Sequence, residues 1–232
     1  MNINSVLKWL KAPCGLFFLI FPLLLAPTLT NAGQKILPTT IEVGRFSAND
    51  LDGWKEKKFV SQTSYRLVKQ GDRTVLHAEA EASASGLFKE VKVNLTTHPY
   101  INWQWRVEKG HPPLAERTKS GDDYAARIYI IVKGGLAFWK TKAINYVWSS
   151  TEKKGAIWPN AFTGKNAMLM AIRSPEDQKN IWYQEKRNVY EDLKNIFGEE
   201  IKEIDAVAIM TDSDNSKGSV SASYGDISFT AD

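Results

Sequence analysis

The stretch Ile101-Asn102-Trp103-Gln104-Trp105-Arg106-Val107 alternates apolar and polar side chains without a break. Successive side chains of an extended strand point to opposite faces, so the two tryptophans, Ile101 and Val107 share one face and the polar residues share the other. A face of two tryptophans and two aliphatic residues predicts a strand that covers a hydrophobic core. We therefore expect Trp103 and Trp105 to lie in that core.

Segments with the same period of two recur on both sides of this strand. Clusters of turn-forming residues separate them, such as Gln70-Gly71-Asp72, residues 109–113 and Trp158-Pro159-Asn160. About ten short strands joined in this way predict an all-β fold, an antiparallel β-sandwich or jelly roll. The predicted strands cover residues 65–68, 74–80, 87–95, 101–107, 124–132, 143–149, 167–173, 182–188, 206–210 and 220–229.

One short helix is predicted over residues 189–197, where the apolar residues fall on one face at helical spacing. Asn188 is suited to the N-cap, and Glu191 and Asp192 are suited to the first turn. Gly198 is suited to the C-terminal end. A single helix in a β protein is expected to close an open end of the sandwich.

The first 32 residues have the pattern of a secretory signal peptide. Lys8 and Lys11 precede an apolar run over residues 15–25, and Thr30-Asn31-Ala32 has the small residues that a signal peptidase recognises. The run is shorter than the roughly 20 residues needed to cross a bilayer. We expect cleavage after Ala32, a single domain over residues 33–232, no transmembrane segment after cleavage, and a periplasmic or secreted location.

Composition and motif content exclude several classes of protein. With 43% hydrophobic and 24% charged residues, the 232-residue chain has the apolar content of a folded domain. Loss of Lys8 and Lys11 lowers the formal charge from +4 to +2, and acids are interleaved with bases throughout, so no nucleic-acid partner is expected. The only cysteine, Cys14, is removed with the signal, which excludes disulfides and thiolate sites. The chain has no dinucleotide-binding or P-loop motif, and its histidines lack zinc-binding spacing.

A polar cluster precedes one predicted strand. Lys119, Asp122 and Asp123 surround Gly121, and Arg127 follows on the strand itself. These side chains could form a ligand pocket. The alternative is a turn in which Arg127 pairs with a neighbouring acid.

Two tryptophans flank the loop that contains Gly155. Trp148 lies near Asn145, and Trp158 lies near Asn160. An aromatic face beside amides suits a sugar, whose apolar ring face stacks while its hydroxyls bind polar groups. The alternative is packing of both tryptophans in the core.

A charged pair, Glu185 and Arg187, shares one face of a later strand. Such a pair is either solvated at a sheet edge or buried, and a buried pair often marks a functional site.

An acidic loop follows the apolar strand over residues 206–210. Asp212 and Asp214 resemble the start of a calcium-binding loop, but Lys217 and Ser223 stand where an EF-hand has its glycine and its glutamate. Calcium bound by Asp212, Asp214 and Asp226 is one interpretation, and a simple turn is the other.

Several segments in one order resemble a family of exported bacterial proteins catalogued as domain of unknown function 3047. The likeness runs from about residue 46 to residue 229, nearly the whole expected mature chain. It implies an exported protein with one domain of this extent, and it assigns no catalytic residues. The general pattern is also similar to that of carbohydrate-binding jelly rolls. The segments that carry the family resemblance are residues 51–54, 119–127, 144–148, 158–160, 185–192, 210–215 and 224–227.

The sequence thus predicts a non-catalytic domain that binds a glycan or another ligand of the cell envelope and requires no cofactor. One alternative is a glycoside hydrolase that uses Glu185 with Asp123 or Asp212 as its carboxylate pair. Another is a structural envelope protein without a small-molecule ligand. The expected ligand-binding residues are Lys119, Asp122, Asp123, Arg127, Asn145, Trp148, Trp158, Asn160, Glu185 and Arg187.

Overall fold

The predicted strands are present in the computed structural model, which describes residues 39–135 and 140–232. The predicted signal peptide and Cys14 lie outside the described residues. Within them the chain forms thirteen strands and one α-helix, α1, over Val189–Phe197. The strands are β1 Thr40–Gly44, β2 Trp54–Val60, β3 Ser64–Gln70, β4 Arg73–Glu81, β5 Ala84–Asn94, β6 Tyr100–Lys109, β7 Arg127–Val132, β8 Lys142–Trp148, β9 Ile157–Asn160, β10 Gly164–Arg173, β11 Tyr183–Asn188, β12 Glu203–Asp212 and β13 Ser219–Thr230.

The strands form two sheets packed face to face, and the predicted β-sandwich is confirmed. The six-stranded sheet has the order β11-β6-β13-β4-β3, and β1 pairs with the C-terminal part of β13. The seven-stranded sheet has the order β2-β5-β12-β7-β8-β10-β9. No helix in the described ranges combines the length and the hydrophobicity that a membrane crossing requires.

The inner faces of the two sheets meet in one hydrophobic core. Trp103 and Trp105 are 1% and 0% exposed, as their alternation with polar residues predicted. Trp103 of β6 stacks on Tyr146 of β8, with ring centroids 5.4 Å apart and planes 16° apart. Burial of such large side chains removes apolar surface from water, which is the main favourable term in folding.

One strand pair departs from the antiparallel pattern. β8 and β10 run parallel, because the short strand β9 lies at the sheet edge and returns the chain into β10. Trp158-Pro159-Asn160, which the sequence predicts to be a turn, belongs to β9. Proline has no backbone N–H, and an edge strand tolerates it because no second neighbour needs that donor.

The helix α1 has the predicted caps. The Asn188 side chain accepts a hydrogen bond from the Glu191 backbone N–H at 3.1 Å. Gly198 ends the helix with a φ of 70°, a left-handed conformation that glycine adopts without steric cost. Val189 and Leu193 are buried in the core between the sheets.

The strand predicted over residues 124–132 begins later than expected, at Arg127. Residues 122–126 instead form an irregular segment whose side chains are all buried. This segment, the start of β7 and the end of β12 lie together at one end of the central strands of the seven-stranded sheet.

Candidate functional site

One end of the central strands of the seven-stranded sheet holds a buried charge cluster centred on Arg127. Arg127 is the first residue of β7 and lies opposite Met210 of β12. Asp212 follows Met210 by two positions on β12, so its side chain lies on the same face of the sheet as that of Met210. The Arg127 guanidinium forms an ion pair with Asp212, and both residues are 1% exposed. Its Nη1 lies 4.0 Å from Asp122 Oδ1. We call Asp122, Arg127, Asn145, Trp158, Asn160 and Asp212 the Arg127 cluster.

Arg127 also faces two aromatic rings. Its guanidinium carbon lies 4.7 Å from the Tyr124 ring centroid and 5.5 Å from that of Tyr129. Burial opposes the charge on Arg127, but Asp212 and the neighbouring groups stabilise it more, and the pKa of Arg127 is raised. Burial also raises the pKa of Asp212, and the contact with Arg127 opposes that effect.

Asp122 is a second buried carboxylate of this cluster. It is 2% exposed, and its Oδ2 accepts a hydrogen bond from Asn160 Nδ2 at 2.8 Å. Burial raises its pKa to about 6, while Arg127 and Asn160 oppose the increase. Asn160 is itself fixed, because its Oδ1 accepts hydrogen bonds from the Phe162 and Thr163 backbone N–H groups at 3.0 Å.

Asp123 has a different role from Asp122. It accepts hydrogen bonds from the Asn215 backbone and side-chain nitrogens and from the Ser216 backbone N–H at 2.6 Å. Burial alone would raise its pKa, but these hydrogen bonds outweigh burial, and the pKa of Asp123 is lowered. Asp123 therefore holds the loop between β12 and β13 against the segment that precedes β7.

Asn145 and Trp158 face the same side of the sheet as Arg127. In the strand register Tyr129 lies opposite Asn145, Asn145 opposite Leu169, and Leu169 opposite Trp158. Residues opposite each other share a face, and Arg127 lies two positions from Tyr129, so all these side chains lie on the outer face of the seven-stranded sheet. Asn145 and Trp158 are each 1% exposed.

Several polar atoms of this face lack a hydrogen-bond partner within the described part of the chain. Buried polar groups are nearly always paired, and each unpaired one costs about 1–3 kcal/mol, so several at one place require an explanation. The set contains three donors and two acceptors. They are Arg127 Nε, Arg127 Nη1, Trp158 Nε1, Asp122 Oδ1 and Asn145 Oδ1. Arg127 Nη1 and Asp122 Oδ1 lie 4.0 Å from each other, beyond hydrogen-bonding distance, and Trp158 Nε1 faces the Tyr124 hydroxyl.

The structure does not give the two tryptophans the open faces that sugar stacking requires. Trp148 is 6% exposed and points into the core, where it packs against Trp105 and Tyr183. Trp158 is 1% exposed. The alternative, core packing, describes Trp148. Trp158 is buried in a separate apolar cluster on the outer face, with Tyr124 and Leu169.

Lys119 lies at the surface, outside the Arg127 cluster. It begins a single 3-10 turn over Lys119–Gly121, and its Nζ lies 5.6 Å from the Phe162 ring centroid.

Glu185 and Arg187 lie on β11 of the other sheet. Glu185 accepts hydrogen bonds from Trp105 Nε1 at 3.0 Å and Arg173 Nε at 2.6 Å. Arg187 pairs with Asp192 of α1. Glu185 is therefore engaged with a buried tryptophan and an arginine, and it lies on a different sheet from Asp212, one of the two carboxylates suggested as its partner in a hydrolase.

The acidic loop does not assemble the suggested calcium ligands. Carboxylate oxygens of Asp123, Asp212 and Asp214 lie within 4.8 Å of one another, but Asp226 is not among them. Asp226 instead accepts hydrogen bonds from the Ser47 backbone N–H and hydroxyl. Asp212 already accepts a hydrogen bond from the Tyr124 backbone N–H at 3.1 Å and pairs with Arg127, so a cation would compete with both.

Sequence reasoning missed the part played by His111, which it placed in a loop. His111 is 8% exposed, and its Nε2 lies 2.9 Å from the Asp212 carbonyl oxygen. A carbonyl can only accept, so Nε2 carries the proton. Burial lowers the pKa of His111, which keeps the ring neutral. No local signal reveals this contact, because it joins residues 101 positions apart.

Comparisons with solved structures find carbohydrate-binding modules at low identity. The chain is similar to a family 11 carbohydrate-binding module of the cellulosomal cellulase Lic26A-Cel5E of Clostridium thermocellum, with 8% identity, a TM-score of 0.47, and coverage of 83% of this chain and 95% of that one. A carbohydrate-binding module of family 28, specific for non-crystalline cellulose, gives 14% identity, a TM-score of 0.41, and coverage of 86% and 93%. At these identities the likeness concerns the fold alone. A comparison with curated proteins finds no significant match.

The family comparison is more specific. The family described as "Protein of unknown function (DUF3047)" matches residues 52–228, which is most of the chain and includes the whole Arg127 cluster. The resemblance inferred from the sequence segments is thereby confirmed, and the chain belongs to this family of proteins of unknown function.

Proposed function

We propose that this protein is a non-catalytic domain that binds a glycan or another polyhydroxylated ligand of the cell envelope at the Arg127 cluster. The observation that carries the proposal is the group of unpaired buried polar atoms on the outer face of the seven-stranded sheet. A hydroxyl group both donates and accepts hydrogen bonds, so a ligand with several hydroxyls can satisfy a mixed set of donors and acceptors. A purely anionic or purely cationic ligand would satisfy only one kind of atom.

The charges of the cluster favour a ligand without strong net charge at this place. Arg127 is already paired with Asp212, and Asp122 lies near both. An added anion would face these carboxylates, and an added cation would face Arg127. A neutral polyol avoids both forms of repulsion.

The hydrolase alternative receives less support from the geometry. Glu185 is engaged by Arg173 and Trp105, and it lies on a different sheet from Asp212. A periplasmic or secreted location remains part of the proposal, since it rests on the sequence pattern of residues 1–32.

Replacing Asn145 with leucine tests the proposal. The change removes the unpaired Oδ1 and keeps a side chain of similar size, so we expect at least a tenfold loss of affinity for a bound oligosaccharide. It also removes the 3.3 Å hydrogen bond from Nδ2 to the Met168 carbonyl oxygen, so we expect a loss of stability of about 1 kcal/mol. The measurement is a thermal melt of the full chain with cellotetraose, chitotetraose and peptidoglycan disaccharide fragments, followed by titration with those that raise the melting temperature. A ligand that binds only the folded state adds about 2.7 kcal/mol of stability at a hundred times its dissociation constant.

Asn102→Leu is the matched control. Asn102 lies on the six-stranded sheet, where its Nδ2 donates to Thr230 Oγ1 at 3.0 Å, so its loss should leave binding unchanged. Equal affinity in wild type and Asn145→Leu, or no binding of any of these sugars by wild type, would refute the proposal.

A further inference from the structure

A small pocket opens at the same end of the sandwich as the Arg127 cluster. Three loops form it: residues 110–113 after β6, residues 149–150 after β8, and residues 175–179 before β11. Its volume is about 270 Å³, just below the roughly 300 Å³ at which sites for drug-sized ligands begin. The pocket can therefore hold one ring, and not a long chain. We call it the Trp148 pocket.

The floor of the Trp148 pocket is apolar and rigid. Trp148 and Ala125 line it, and Trp148 is held by Trp105 and Tyr183, with ring centroids 6.1 Å and 5.4 Å away. Prolines, whose φ is fixed by their rings, form much of the wall. Although little of the Trp148 ring reaches the surface, that part faces the pocket. The proline residues are Pro112, Pro113 and Pro175.

The rim of the pocket carries one cation without an ion-pair partner among the described residues. Lys179 lines the pocket and is exposed. Its side chain crosses Gly110 so closely that a methyl group there would lie 3.0 Å from Lys179 Cε. The nearby carboxylate of Asp177 is occupied by Arg173 Nη1 at 3.0 Å and the Ser174 backbone N–H at 2.8 Å. Lys179 is thus the charged group at the rim that remains free to bind a ligand.

We infer that the Trp148 pocket binds a terminal sugar ring bearing a carboxylate, and that Lys179 recognises the carboxylate. The inference deepens the proposed function and rests on it, since it supplies the end group of the same glycan. The sugar ring packs on the exposed edge of Trp148 and on the prolines. The Ser149 and Ser150 hydroxyls at the wall already donate hydrogen bonds to Glu116, so Lys179 is the charged group left to recognise the ligand. A pocket of this size holds one ring and so suits the end of a chain.

The test compares glucuronic acid with glucose, and galacturonic acid with galactose, by titration of the full chain. We expect each acidic sugar to bind at least tenfold more tightly than its neutral counterpart. In Lys179→Met this preference should fall to less than twofold, and in Lys179→Arg it should be kept. Lys69→Met, at an exposed lysine of β3 on the other sheet, is the matched control and should behave as wild type.

Gly110→Ala provides a second variant that leaves every charge in place. The added methyl group displaces the flexible Lys179 side chain and should weaken the acidic preference without unfolding the protein. Equal binding of acidic and neutral sugars by wild type, or an unchanged preference in Lys179→Met, would overturn the inference. If oligosaccharides still bind and Asn145→Leu still weakens their binding, only the inference about the Trp148 pocket fails. If no oligosaccharide binds, both that inference and the proposed function fail.

Discussion

Arg127→Met is expected to lower the free energy of unfolding by about 3–5 kcal/mol, the usual cost of removing one partner from a buried ion pair. The loss comes mainly from Asp212, which stays buried and loses its countercharge. The same change also removes two of the unpaired donors that we assign to ligand binding. Urea denaturation at pH 7 measures the loss of stability.

A second substitution separates the loss of stability from the loss of binding. Asp212→Asn added to Arg127→Met removes the charge that Arg127 pairs with most closely, and the asparagine oxygen can still accept the Tyr124 backbone N–H. Asp122 also loses Arg127 as a neighbour, which raises its pKa above about 6, so this buried carboxyl takes up a proton instead of staying charged. Replacement of a whole buried pair by neutral groups is often close to neutral for stability. We expect the double variant to recover most of what Arg127→Met loses. A double variant no more stable than the single one would show that the ion pair is not the source of the loss.

Asp122→Asn is expected to stabilise the protein at pH 7, in contrast to most substitutions of buried residues. The folded-state pKa of Asp122 is about 6, against an ordinary value of 3.8, because burial disfavours the charged form. The unfolded chain therefore releases this proton more readily than the folded one. Stability from Asp122 is fully present below the ordinary pKa of 3.8 and is lost as the pH rises through the folded-state pKa of about 6, with a total of about 3 kcal/mol. Asparagine does not titrate, so the variant avoids that loss.

The measurement is the unfolding free energy of wild type and Asp122→Asn at intervals from pH 4 to pH 8. The difference between the two should increase in favour of the variant as the pH rises from 4 through 6, and it should become constant above about pH 7. Asn160 can still donate to the asparagine oxygen, which preserves the local hydrogen bond. A constant difference across this range would mean that Asp122 titrates normally. We further expect the variant to bind oligosaccharide more weakly than wild type. A buried residue that lowers stability is typically retained because function requires it.

The sequence predicts the fold well wherever one face of a strand is buried. Successive side chains of a strand point alternately to the core and to the outside, so the apolar residues around Trp103 and Trp105 recur at every second position. The edge strand β9 was missed for the opposite reason. Pro159 and Asn160 are typical of turns, and only pairing with β10, which the local sequence does not encode, places them in a strand.

The site was predictable only where its residues are close in sequence. Asp122, Asp123 and Arg127 were singled out together because they lie within six positions. The sequence groups Asp212 with nearby acids and so suggests a calcium ligand. Its actual partner, Arg127, lies 85 positions away, and their pairing depends on the register of β7 with β12, which the local sequence does not reveal. For the same reason Glu185 was grouped with these acids, although the fold places it on the other sheet.

The most direct test of the account is oligosaccharide binding by the Arg127→Met, Asp212→Asn double variant. The account predicts that this variant melts near the wild-type temperature and yet binds cellotetraose, chitotetraose and peptidoglycan fragments at least tenfold more weakly than wild type. Such a result would assign the unpaired donors of Arg127 to a ligand. Binding equal to that of wild type by a double variant of normal stability would contradict it, and the Arg127 cluster would then only stabilise this end of the sheet.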